Sequence, residues 1–124
     1  MDLYTEIILD HYKDPQNSGT LTNPTVQVVE HNPTCGDKIH LDLKITDNKV
    51  TQIAHESEGC AISIASMSLV SDEIIGKSLE EILKLDKDYI FELLHVEISA
   101  GRIKCALLGL AAIKHAILQH QQNG

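Results

Sequence analysis

Lys38-Ile39-His40-Leu41-Asp42-Leu43-Lys44-Ile45-Thr46 alternates without a break. In an extended chain Ile39, Leu41, Leu43 and Ile45 face one way, and His40, Asp42, Lys44 and Thr46 face the other. That period of two predicts a half-buried strand. Asp47-Asn48-Lys49 follows as a hairpin turn, so Val50 to Glu56 is expected to return antiparallel. Upstream, the valine-rich run from Thr25 to His31 reads as a further strand. The three make a meander with one face free to take helices.

Those helices lie on either side. Leu3, Ile7, Ile8 and Tyr12 recur at helical spacing, giving a first helix from Asp2 to Lys13 with Asp2 as its cap. Asp14-Pro15-Gln16-Asn17-Ser18-Gly19 ends it. After the sheet, Gly59-Cys60 opens a segment of small and apolar residues that predicts a closely packed helix ending near Gly76. Ser78-Leu79-Glu80-Glu81 reads as the reciprocally capped start of a short helix, and Asp86 to His95 as another. Ile98 to Arg102 reads as a loop. Ile103 to His120 is the strongest helix, with a buried stripe of Ala106, Leu110, Ile113 and Ile117. Beside it Cys105, Gly109, Ala112 and Ala116 form a line of small residues that admits a close neighbour. Gln119 to Gly124 reads as a polar, frayed tail. The expected fold is α+β: a three-stranded antiparallel sheet packed on one face by four to five helices, one domain over residues 1–124.

Composition narrows the function. No apolar run approaches the roughly 20 residues of a membrane span. The opening Met1-Asp2-Leu3-Tyr4-Thr5-Glu6 carries acids where a signal peptide carries bases, which predicts a cytoplasmic protein. A net charge of −8 argues against a nucleic-acid partner, because phosphate binding needs a basic surface.

The three cysteines cannot all pair within one chain, and cytosolic thiols stay reduced. Free thiols serve as buried apolar residues, metal ligands or nucleophiles, and the count does not choose. Their places say more. Cys35 stands in the turn Asn32-Pro33-Thr34-Cys35-Gly36-Asp37, two positions before an acid. Cys60 and Cys105 each stand at a helix N-terminus, where free N–H groups and the helix dipole favour a thiolate. All three are at element ends, where groups converge. Closing the intervening loops costs a few kcal/mol each. A structural zinc site returns on the order of 10 kcal/mol. Cys35, Asp37, Cys60 and Cys105 give three sulfurs and an oxygen, a set suited to zinc or to iron in a sulfide cluster. Asp37 is the harder ligand and the natural one to exchange. Lys104, protonated at neutral pH, is a poor ligand. With Arg102 it places positive charge beside Cys105 and favours its thiolate. Of the seven histidines only His55, five positions before Cys60, reads as a neighbour of the site.

These motifs carry a resemblance. Cys35-Gly36-Asp37 after Asn32-Pro33-Thr34, Gly59-Cys60-Ala61-Ile62-Ser63 with Ala65-Ser66, and Arg102-Ile103-Lys104-Cys105 are similar to the cysteine motifs of the IscU/SufU/NifU N-terminal family of iron–sulfur cluster assembly proteins. Leu3-Tyr4, Asp10-His11-Tyr12 and Pro15-Gln16-Asn17 resemble that family's first helix. Lys104, in place of the scaffold branch's histidine, and Ser99-Ala100-Gly101-Arg102-Ile103, in place of its chaperone-binding segment, resemble the SufU branch. The 45 positions from Cys60 to Cys105 lack the SufU-type insertion and match the scaffold branch.

The resemblance implies that a cysteine desulfurase donates persulfide sulfur here. In the SufU-like version Cys35, Asp37, Cys60 and Cys105 hold Zn2+, and Cys35 accepts sulfur when displaced from the metal. Cys105 is the alternative acceptor, with Arg102 and Lys104 as assisting residues. The protein would then be a zinc-dependent sulfurtransferase serving a downstream cluster scaffold or apo-protein. In the scaffold version the same cysteines carry a transient [2Fe–2S] cluster, and the protein is not an enzyme in the strict sense. A structural zinc-binding interaction domain is the third reading.

Overall fold

The computed structural model describes residues 3–34 and 36–123. Cys35 and the expected Asp2 cap lie outside them. The elements are α1 (Leu3–Lys13), β1 (Val26–Asn32), β2 (Asp37–Thr46), β3 (Lys49–Glu58), α2 (Ala61–Ile74), α3 (Leu79–Leu83), α4 (Lys87–Leu94), a 3-10 turn (Ala100–Arg102) and α5 (Ile103–Asn123).

The sheet is the expected antiparallel meander, in the order β1-β2-β3. β1 pairs with β2 from Val26↔Leu43 to Asn32↔Asp37, and β2 with β3 from Lys38↔Glu58 to Thr46↔Lys49, with a register shift at Lys44/Ile45. Asp47 and Asn48 form the β2–β3 turn with φ of 53° and 64°. A two-residue hairpin with this geometry needs positive φ at both central positions, and Asp and Asn are the side-chain-bearing residues that tolerate it best.

One face of the sheet takes the helices. Ile39, Leu41 and Leu43 are completely buried, with Met67, Val70 and Ile74 of α2 and Ile113, Ala116 and Ile117 of α5 in the same core. α5 packs on β1 and β2, and α2 packs on β3, α1 and α5. The small-residue line on α5 does what its composition suggests. A Cβ at Gly109 would lie 2.9 Å from Met67 Sδ and 3.1 Å from Met67 Cα. The missing side chain therefore sets the α2–α5 spacing. Ser66 Oγ donates to Ala106 O across the same contact at 2.6 Å.

Two details depart from expectation. Asp42 has the register of the solvent face of β2, yet it is 1% exposed. The Leu21 N–H and Gln27 Nε2 donate to its carboxylate at 3.0 Å each, and His40 Nε2 lies 3.2 Å away. The segment leading into β1 thus crosses this face and covers it, which strand alternation cannot reveal. The C-terminal residues predicted to fray continue α5 as far as Asn123. Among the described residues no helix is long and apolar enough to cross a membrane.

Candidate metal and sulfur site

Asp37 opens β2 on the face that meets the helices, and it is fully buried. Its Oδ1 accepts from the Cys60 N–H at 3.0 Å. That contact requires the chain to pass tightly by at Gly59, whose φ is +141°. A Cβ at Gly59 would overlap Asp37 Oδ1. Cys60 then caps α2 with extended angles (φ −76°, ψ 164°), and its Sγ accepts from the Ser63 N–H at 3.4 Å. It takes the place a serine or aspartate oxygen takes at other helix starts. Cys105 is the third residue of α5 and is fully buried.

The ligand atoms of Asp37, Cys60 and Cys105 all lie within 4.8 Å of one another. Among the described residues this is the group able to hold a metal ion. The donor set fits one. Zinc–sulfur bonds of about 2.3 Å in a tetrahedron put two sulfurs about 3.8 Å apart, so small adjustments suffice. The second carboxylate oxygen, Asp37 Oδ2, is buried with no hydrogen-bond partner among the described residues. Such an atom is costly to desolvate, and a cation beside it would meet that need.

Arg102, at the end of the 3-10 turn, is exposed but reaches both thiols. Charge on Cys60, then hydrogen bonds to Cys105 and Cys60, push its guanidinium above its ordinary value. Sequence placed Arg102 beside Cys105 alone; the fold puts it between two sulfurs. Lys104 is exposed and lines a groove with His31, Asn32, Pro33, Leu107, Leu108 and Ala111. His55 is not drawn into the site. It is 1% exposed, with Nε2 donating to Gln16 O and Nδ1 accepting from Ser57 Oγ, both at 2.8 Å. Burial lowers its pKa, with the bond to Gln16 opposing. It fastens the turn after α1 to β3, where its backbone also bonds Asn17 and Gly19.

Among the described residues the fold therefore brings together Cys60 and Cys105, the expected acid and one of the two expected bases; Cys35 lies outside them. Asn32, Gly59 and Ser63 stand in the sequence motifs, but the motifs give none of them a role at the site. Only Gly59, a glycine immediately before a helix-capping cysteine, carried a usable signal.

Comparison with known proteins extends this. A family described as "NifU-like N terminal domain" matches residues 3–124. The chain is 36% identical to the "Zinc-dependent sulfurtransferase SufU" of Bacillus subtilis (strain 168), covering 96% of this chain and 92% of that one. It is 39% identical to the "Iron-sulfur cluster assembly scaffold protein IscU" of Streptococcus pyogenes serotype M1, covering 93% and 82%. A crystal structure of an iron–sulfur cluster assembly scaffold protein for the SUF system, from Fervidobacterium islandicum AW-1, superposes with a TM-score of 0.78 at 27% identity, covering 90% and 94%.

Proposed function

Because the chain belongs to the NifU-like N-terminal domain family, we propose that it serves iron–sulfur cluster assembly as a SufU-type sulfur acceptor. It takes persulfide sulfur from a cysteine desulfurase and passes it to a downstream cluster scaffold or apo-protein in the cytoplasm. The observation that carries this reading is the convergence of Asp37, Cys60 and Cys105 within 4.8 Å.

Those three residues would hold Zn2+, with Cys35 completing the set. Bound there, zinc supplies thiolates ionised at neutral pH, where a free thiol of pKa near 8.5 is only about 3% ionised. The chemistry of transfer belongs to the cysteines. The Cys35 thiolate attacks the terminal sulfur of the donor's persulfide. A new S–S bond forms, the donor's S–S bond breaks, and the donor cysteine leaves as a thiolate. No external electron is needed. Arg102 lies against Cys60 and Cys105 and balances their charge. Cys105 is the alternative acceptor. It is fully buried, which favours the Cys35 assignment. Lys104, exposed beside the groove, offers a positive contact to the donor protein.

A second reading is favoured by the scaffold relative and by the short span from Cys60 to Cys105. In it the same cysteines receive a [2Fe–2S] cluster as cargo. One experiment separates the readings. The protein is purified aerobically, its zinc and iron are measured, and a cysteine desulfurase is added with cysteine. Faster alanine production by the zinc-bound protein supports sulfur acceptance. A brown chromophore on adding iron and sulfide supports the scaffold. Tight metal that responds to neither treatment leaves a structural zinc domain. Cys35→Ser should abolish sulfur acceptance, and normal turnover in that variant refutes Cys35 as acceptor.

A further inference from the structure

Three buried side-chain atoms have no hydrogen-bond partner among the described residues: Asn32 Nδ2, Asp37 Oδ2 and Ser63 Oγ. All three belong to residues bordering one place. Asn32 is the cross-strand partner of Asp37, so the two side chains share the helix-facing side of the sheet. Asn32 also lines the groove of about 240 Å³ that reaches Lys104 and Leu108 at the start of α5. Ser63 is the third residue of α2, and its N–H already donates to Cys60 Sγ. One turn on, Ser66 bonds Ala106 and Met67 meets Gly109. Residues three and four apart share a helix face, so Ser63 lies on the α5 side, level with the Cys105 end.

A cation satisfies Asp37 Oδ2, but it does nothing for an amide N–H, which has no lone pair to give. A hydroxyl next to a cation-bound thiolate also has a proton to place. Two buried donors lack an acceptor among the described residues, one on the strand residue paired with Asp37 and one on the residue whose N–H donates to Cys60 Sγ, and such donors suit an anion with exposed lone pairs. We propose that Asn32 Nδ2 and Ser63 Oγ donate hydrogen bonds to the terminal sulfur of a persulfide delivered to this site. The persulfide is the chemical class they fit: a soft, singly charged, covalently held acceptor. This rests on the sulfur-acceptor reading and adds to it the groups that keep the sulfur once it has arrived.

The test uses the zinc-loaded protein, Ser63→Ala and Asn32→Ala. Each is charged with a cysteine desulfurase and cysteine, freed of donor, and challenged with cyanide. Cyanide attacks the terminal sulfur, leaves as thiocyanate and returns the protein thiolate, so intact mass follows the loss of one sulfur. Each variant should release its sulfur at least about tenfold faster, the lower end of the effect of one hydrogen bond to a charged acceptor. Metal content should not change. The melting temperature of Ser63→Ala should stay level or rise, because an unsatisfied buried hydroxyl has gone. Wild-type release rates in either variant overturn the two-donor arrangement. So does faster release that merely tracks a fall in melting temperature or zinc content, which is what a structural role predicts. A wild-type protein that takes up no sulfur defeats the acceptor reading itself and takes this proposal with it. Uptake by all three with equal retention defeats this proposal alone.

Discussion

Gly59→Ala tests whether backbone geometry sets the Asp37 carboxylate. Gly59 has φ +141°, where a side chain is strained at about 1–3 kcal/mol. The new Cβ would overlap Asp37 Oδ1, the atom that accepts from the Cys60 N–H. It would also lie 2.8 Å from Asp37 Cγ and 3.0 Å from Asp37 Cα, so rotating the carboxylate alone does not clear it. Losing that charge-assisted hydrogen bond costs about 1.5–3 kcal/mol more. The sum, about 2.5–6 kcal/mol, is a large part of a small domain's stability of about 5–15 kcal/mol. Urea unfolding of the wild type, Gly59→Ala, Asp37→Ala and the double variant separates the two parts. With Asp37 truncated, Gly59→Ala should keep the backbone strain and the close approach to the residue-37 Cα but lose the clash with the carboxylate, so the cycle should show coupling of about 1.5–3 kcal/mol. Zinc content should fall in Gly59→Ala as it does in Asp37→Ala. Additive effects, or full zinc retention in Gly59→Ala, would show that the close passage at residue 59 does not govern the acid.

Three further outcomes follow from the packing. Gly109→Ala should destabilise by about 1–3 kcal/mol through overpacking against Met67, read as a lower urea midpoint with the same slope. Asp42→Ala should cost about 1–3 kcal/mol, because Leu21 N–H and Gln27 Nε2 lose their acceptor, and amide exchange at Leu21 should quicken. His55, held neutral by burial, has a folded pKa below its unfolded value of 6.5. The unfolded state then binds more protons as pH falls below that value, so stability is kept at pH 7 and lost on acidification. His55→Gln should remove up to one proton's worth of that slope, about 1.4 kcal/mol per pH unit, as pH falls below 6.5. An unchanged slope would show that His55 does not titrate differently on unfolding.

Much of this fold is legible in short-range pattern. The alternation from Ile39 to Ile45 sets the strand and its buried face. Asp47-Asn48 sets the turn, and Ser78 with Glu81 forms the reciprocal cap that its spacing implies. The misses have one cause. Asp42 sits in a polar register and is buried because distant residues cover it. His55 is close to Cys60 in sequence, but an extended strand carries it away from the site and under the Gln16 turn. Tertiary neighbours decide both cases, and no local period encodes them. The candidate site divides the same way. Asp37, Cys60 and Cys105 announce themselves by residue type at element ends. Asn32 and Ser63 are ordinary polar residues whose interest lies in side-chain atoms, Nδ2 and Oγ, that have no hydrogen-bond partner among the described residues.

The two ends of β2 are treated differently. At the hairpin end, Asn48 O accepts from Leu79 N–H, Asn48 Nδ2 donates to Glu80 Oε2, Val50 N–H donates to Lys77 O, and Val50 O accepts from Gly76 N–H. At the other end, ten residues and about 30 Å away, sit the polar atoms left over. The sheet is sewn shut at its far hem and left open at the sulfur-bearing one. In the proposed role, exchange of ligands or of cargo at the sulfur-bearing margin would leave untouched the seam that keeps the strands in register.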